Sequence, residues 1–313
     1  MAYARRQRRP AYRKKGARST RRYSKRSSPR RSYGRTRTYG RKRPMTKRRI
    51  LNVTSEKKRD KMLTWTNTTA STPAGGTTYA SNPAILVGGS ATPYVFPWIS
   101  TARDNTINAA GGVGNKFYQS TRTASLCYMV GLKESIDIQV ANGLPWQWRR
   151  ICFTAKGGQT LNGTIPAGSG TFAPSIETSS GYTRPVNSLN TSQQTPFFGL
   201  LFQGSVGVDW QDPLTAKVDS ERLGIKYDKT ITIASGNEDG VIRRYNRWHK
   251  MGHNLMYDDD ESGGSMVPAF ASVDSKIGMG DYWVIDIIKP RVGSTSSDSL
   301  LFNAESTLYW HER

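Results

Sequence analysis

The first 49 residues contain 22 Lys or Arg, no Asp or Glu, and no Leu, Ile, Val, Phe or Trp. A segment with so little apolar surface has nothing to bury that would offset the conformational entropy lost on ordering. Residues 1–49 are therefore predicted to be a disordered cationic arm that takes no part in a core. Residues 50–313 hold 24 basic and 23 acidic groups, so nearly all of the formal net charge of +23 belongs to the arm. This partition argues against a protein that is basic throughout and describes a near-neutral body carrying a polycation. No apolar run approaches the ~18 residues of a membrane span, and no membrane partner is expected.

The arm lacks the apolar helical face of a mitochondrial transit peptide and the apolar region of a secretory signal, which points to an intracellular protein. Cysteine usage agrees. Cys127 and Cys152 are too few for a disulfide scaffold and fall in strand-like segments, where a reduced thiol behaves as a small hydrophobe.

From Ile50 onward the composition changes. All eight Trp and all nine Phe lie here, in aromatic and β-branched runs broken by Gly, Pro, Asn and Ser, which is the pattern of a β-rich domain. Residues 225–233 alternate apolar and polar, as do Ile136, Ile138 and Val140 with Asp137 and Gln139, so these strands are predicted to bury one face. Further predicted strands are residues 62–66, 93–98, 116–132, 146–155, 197–203, 241–251, 281–288 and 300–311. Loops are predicted at 67–82, 105–115, 156–180 and 258–267. No window reads as a long amphipathic helix, and no linker divides the body, so residues 50–313 are taken as one all-β domain of two packed antiparallel sheets. A jelly roll is one of the few ways to arrange eight or so strands while limiting exposed edges, although strand pattern alone does not separate it from other sandwiches.

A polycation without acidic relief is drawn to nucleic acid, where release of condensed counterions drives binding without sequence preference. The candidate phosphate ligands are Arg5, Arg6, Arg8, Arg9, Arg13, Lys14, Lys15, Arg21, Arg22, Lys25, Arg26, Arg30, Arg31, Arg35, Arg37, Arg41, Lys42, Arg43, Lys47, Arg48 and Arg49. Arg predominates and favours bidentate phosphate contacts. Tyr3, Tyr12, Tyr23, Tyr33 and Tyr39 are interleaved with the charges. They either stack on unpaired bases of a single strand or are incidental to a low-complexity segment. Arg41, Lys42 and Arg43 with Lys47, Arg48 and Arg49 match a nuclear-import signal, a pattern polycations satisfy easily.

Two groups of cations lie on predicted strands: Arg243, Arg244, Arg247 and Lys250 with Tyr245, Trp248 and His249, and Arg149 and Arg150 with Trp146 and Trp148. Either could line a nucleic-acid-facing surface, or be solvated or subunit-facing positions with the Trp in the core.

Catalytic constellations are missing. The Gly111–Lys116 segment has no Gly directly before its Lys and no Ser or Thr after it, so it does not read as a phosphate loop; neither a Gly-x-Ser-x-Gly elbow nor a His-Glu-x-x-His helix occurs. His249, His253, Cys127 and Cys152 have the wrong spacing for zinc, and neither a metal nor a cofactor is expected. The acidic run Asp258, Asp259, Asp260 and Glu261 reads as a solvated loop or a salt-bridging contact before it reads as a cation site.

The opening Met1-Ala2-Tyr3-Ala4-Arg5-Arg6, the Arg/Tyr/Ser-rich arm, and above all the junction Arg43-Pro44-Met45-Thr46-Lys47-Arg48-Arg49-Ile50-Leu51-Asn52-Val53-Thr54-Ser55-Glu56-Lys57-Lys58-Arg59-Asp60 resemble the capsid proteins of genomoviruses. An Arg-rich arm is shared more distantly with geminivirus and circovirus capsid proteins. The resemblance implies a single viral jelly roll, many copies of which form a small icosahedral shell around circular single-stranded DNA, with the arm directed inward. It also implies entry into the host nucleus by way of import receptors, residence in the virion, and no catalytic site. The alternatives are a cellular nucleic-acid-binding protein, such as a chromatin or ribonucleoprotein component, and a β-sandwich hydrolase or lectin whose arm only targets it.

Overall fold

A computed structural model describes residues 44–157 and 173–313, of which Thr46–Arg313 form one compact unit. Eight long strands carry the architecture: β1 (Glu56–Met62), β4 (Tyr94–Ile99), β5 (Leu126–Val140), β6 (Trp146–Ala155), β10 (Gly224–Ile233), β11 (Val241–Met256), β14 (Asp281–Pro290) and β15 (Ser299–Glu312). Shorter strands are β2 (Thr64–Thr66), β3 (Ala84–Val87), β7 (Glu177–Thr178), β8 (Gly181–Tyr182), β9 (Arg184–Val186), β12 (Asp260–Ser262) and β13 (Ser265–Val267). Helix α1 (Lys47–Thr54) precedes β1, and α2 (Thr191–Leu201) lies between β9 and β10.

The pairing is nested. β6 pairs with β10, β5 with β11, β4 with β14 and β1 with β15, each pair enclosing the one before it along the chain. Two further pairings, β15 with β5 and β14 with β6, roll this long hairpin into two antiparallel sheets, ordered β1–β15–β5–β11 and β10–β6–β14–β4. That topology is the jelly roll.

The two sheets bury their faces differently, and the sequence reflects it. β15 alternates because only its inward side is covered: Leu300, Phe302, Ala304, Leu308 and Trp310 are buried while Glu305 is exposed. β14 is buried along almost its whole length and reads as a continuous apolar run interrupted by Asp286. Its outer face is plated by α2 and the segment that follows, where Phe197, Phe198, Leu201, Phe202, Leu214 and Val218 pack against Val95, Ile151, Trp283, Ile285 and Ile287.

Between the sheets, Phe96, Ile138, Trp148 and Phe302 pack in one cluster and Met129, Leu132, Val284 and Trp310 in another. A buried ionic group sits among them. The Arg150 guanidinium donates to both Asp286 oxygens at 2.8 and 2.7 Å and also to Glu134. Arg184 donates to Asp286 at 2.7 Å, and the Trp148 indole N–H donates to Asp286 at 2.6 Å. Two guanidinium groups thus face two carboxylates with no exposed member. Burial alone would raise the Glu134 pKa, but the nearby Arg150, His249 and Arg184 hold it at about 2. Asp286 is likewise held below the usual carboxylate range, against the pull of burial, first by Arg150.

Four sequence expectations need correction. Residues 197–203 were expected as a strand, but Phe197–Leu201 belong to α2. A capping box between Asn190 and Gln193 starts that helix and satisfies its first N–H groups. The expected loop 258–267 contains the hairpin β12–β13, turned at Gly263 and Gly264; Gly263 has φ +60°, a conformation glycine adopts freely. The strand expected at 116–132 begins only at Leu126 and continues to Val140. Finally, Lys47, Arg48 and Arg49, expected at the end of a disordered arm, open helix α1, whose N-cap Thr46 accepts from the Arg49 N–H at 3.4 Å.

Candidate nucleic-acid interface

The outer face of the β1–β15–β5–β11 sheet has no helix plating it among the described residues, and its side chains are those of a wet surface. On β1 the exposed residues are Lys57, Arg59 and Lys61, while Lys58, Asp60 and Met62 point inward. The inward charges are paired: Lys58 lies 3.4 Å from Glu312, and Asp60 lies 2.9 Å from Arg103. Inward-pointing paired charges on an edge strand oppose pairing with a foreign strand.

Register assembles the face. In one cross-strand row Arg59, Tyr309, Gly131 and Lys250 lie side by side on β1, β15, β5 and β11. Two residues along, Lys61, Thr307, Lys133 and Trp248 form the next row on the same face. Lys57 stands opposite His311, and Arg244 opposite Asp137. Six cations, Lys57, Arg59, Lys61, Lys133, Arg244 and Lys250, thus share the face with two carboxylates, Asp137 and Glu305. Asp137 is half-buried and 3.8 Å from the exposed Arg244, a long contact that neutralises little. The half-buried His311 has its pKa lowered, first by burial and then by Lys57.

Aromatic groups lie within this cationic field. The Trp248 and Tyr309 ring centroids are 5.9 Å apart, and those of Tyr128 and His311 are 6.1 Å apart. Trp248 is 52% exposed, whereas the other seven tryptophans are buried or half-buried. Cations around accessible aromatic rings can grip phosphates and stack bases at the same time.

The structure divides the residues proposed from sequence. Arg244 and Trp248 lie on this outer face. Arg243 and Arg247 occupy the opposite side of β11: Arg243 donates to the Ala234 carbonyl at 3.0 Å, and the half-buried Arg247 sits 5.5 Å from the Tyr245 ring. The second group does not form a surface at all. Trp146, Trp148, Arg149 and Arg150 are all buried, Arg150 within the ionic group and Arg149 on Asp228 at 2.7 Å. Of the import-type cluster, Lys47 and Arg49 are exposed on α1. The phosphate ligands proposed between Arg5 and Arg43, with Tyr3, Tyr12, Tyr23, Tyr33 and Tyr39, lie outside the described residues.

Sequence reasoning missed Lys57, Arg59, Lys61, Lys133 and Tyr309. The period-two spacing of the β1 cations was a usable signal, obscured because the residues between them are also charged. The acidic run is dispersed: Asp259 accepts from both Arg122 terminal nitrogens at 2.5 and 2.7 Å inside the body, while Asp260 and Glu261 are exposed on β12. His249 is buried, with Nδ1 3.9 Å from the Cys152 thiol, and His253 is exposed on the same strand. Among the described residues, no group of three or more His, Cys, Asp or Glu is placed to hold a metal ion.

No protein-family model matches the chain, and no curated protein matches it. Among solved structures, an unassembled VP1 pentamer of Washington University polyomavirus, a point mutant, aligns over 86% of this chain and 95% of that chain at 10% identity. The TM-score is 0.10, and a likeness at that level carries no argument.

Proposed function

We propose that this chain is a capsid subunit of the genomovirus type, whose sandwich tiles a closed shell and whose cationic arm packages single-stranded DNA. The observation that carries the reading is the joint one of charge and topology. A jelly roll limits exposed edges and offers broad flanks for contact with further copies, while an acid-free stretch of 22 positive charges over residues 1–49, without the apolar side chains a core needs, is suited to a polyanion. The bare cationic sheet supports the same ligand, because it gives the body itself a phosphate-facing surface. In an icosahedral shell of about 60 copies the arms would supply on the order of 1,300 charges, the scale of a genome of a few kilobases.

On this reading the role is structural rather than catalytic, and its partners are other copies of the chain and circular single-stranded DNA. The basic residues 41–43 and 47–49 then serve as the signal that host import receptors carry to the nucleus, where assembly takes place. Electron microscopy of the full-length chain expressed with single-stranded DNA tests the proposal. Closed particles enclosing nuclease-resistant DNA are expected; a persistent monomer or dimer that binds DNA overturns it and favours a cellular nucleic-acid-binding protein.

A further inference from the structure

We propose that Trp248 and Tyr309 form a stacking site for unpaired bases of single-stranded DNA, with Arg59, Lys61, Lys133 and Lys250 taking the adjoining phosphates. The proposal rests on the packaging role for its ligand, and it goes further by assigning base contact to the sheet rather than to the arm alone.

Gly131 makes the site possible. It lies between Tyr309 and Lys250 in the register, one row from Trp248, and the indole crosses directly over it. A Cβ at Gly131 would stand 2.6 and 2.9 Å from Cζ2 and Cη2 of Trp248 and 2.7 Å from the His249 carbonyl oxygen, so a side chain there would both displace the ring and press on the β11 backbone. With Gly131 in place, the indole spans β5 and meets Tyr309 at an interplanar angle of 56°, leaving two aromatic surfaces tilted toward one another. Four cations occupy the remaining positions of the same two rows except Thr307. Phosphate-binding charge thus surrounds rings to which a base can present its π-face. A duplex, whose bases are already stacked, could use only the cations, so the site favours a single strand.

The test uses the full-length chain with a short oligothymidine and an abasic strand of equal length. The arm meets the same phosphates in both, so the ratio of the two affinities isolates the bases. Trp248→Ala is expected to reduce that ratio about tenfold, with Tyr309→Leu reducing it less. Photocrosslinking of iodouridine strands, mapped by mass spectrometry, is expected to mark Trp248 or Tyr309. An unchanged ratio in both variants, crosslinks confined to the arm, or a second copy of the chain covering Trp248 in assembled particles would each overturn the stacking site. Failure of the packaging role reads differently: a chain that forms no closed particles but keeps Trp248-dependent base discrimination retains the site. Closed particles without discrimination lose only the site.

Discussion

Removing Asp286 tests the buried ionic group most directly. Its carboxylate accepts from Arg150, Arg184 and the Trp148 indole, and it balances one of two guanidinium charges that have no access to water. Asp286→Ala leaves Glu134 alone against Arg150 and Arg184, an uncompensated positive charge between the sheets. Breaking a buried pair from one side costs about 3–5 kcal/mol. For a domain of this size, that corresponds to a melting temperature lower by roughly 10 °C. Arg184→Leu combined with Asp286→Ala removes the surplus charge and leaves the Arg150–Glu134 pair balanced, so the double variant is expected to be more stable than the sum of the single losses by about 1–3 kcal/mol. Urea unfolding of the unassembled full-length chain, followed by the fluorescence of its buried tryptophans, measures all four proteins. Strict additivity, or a loss below about 1 kcal/mol in Asp286→Ala, would refute charge balance as the reason these residues are together.

Other outcomes follow from the same geometry. Glu134 has a folded pKa of about 2, below its unfolded one, so its stabilisation is complete above about pH 4.3 and is lost as pH falls toward about 2; Asp286, likewise lowered, adds a loss of the same sign on acidification. The urea midpoint should fall across that interval, and should fall less steeply in Glu134→Gln. Deleting residues 2–45 should leave the tryptophan fluorescence and melting of the body unchanged while removing most of the DNA affinity; retained affinity would refute the assignment of binding to the arm. Replacing Lys57, Arg59 and Lys61 together with Gln should flatten the slope of log affinity against log salt for a single strand by up to about 2, since each phosphate contact contributes about 0.7. Burial lifts both the Cys127 and Cys152 thiols well above their ordinary pKa. Alkylation at mildly alkaline pH should therefore spare both in the native protein and label both in urea.

The strands that define the core were legible because burial leaves a pattern. β6 spans the predicted residues 146–155, and β10, β14 and β15 lie within two residues of their predicted limits. β1 left no such pattern: its sequence, Glu-Lys-Lys-Arg-Asp-Lys-Met, has charged residues on both faces. Distant partners make these charges tolerable inside, Glu312 and the Thr121 carbonyl for Lys58 and Arg103 for Asp60, and no local rule carries that information. Helix α2 was misread because consecutive Phe197 and Phe198 resemble a strand, and its Pro196 argues against a helix interior; the signal for it lay upstream, in the capping pair Asn190 and Gln193. For the same reason the candidate interface was only half visible. Trp248 and Arg244 stood out within β11, whereas Tyr309, Lys133 and the β1 cations join them only through register.

Nested pairing also accounts for which sheet is bare. The innermost pair, β6 and β10, belongs wholly to one sheet, so the long excursion between them, with α2 inside it, can return to that sheet and plate its outer side. Among the described residues the other sheet receives no such insertion, and its outer face carries the side chains of a surface that meets water or a polar partner. The strand at its edge, β1, is also the one into which the arm's sequence leads through α1, and its exposed residues are Lys57, Arg59 and Lys61. Under the proposed role, DNA held by the arm is tethered to the same chain that carries the stacking site. Tethering turns a second, weak contact into an intramolecular one. The rings at Trp248 and Tyr309 therefore need little affinity of their own. Arm deletion should weaken base discrimination in particles far more than it weakens discrimination of an isolated oligonucleotide by the body.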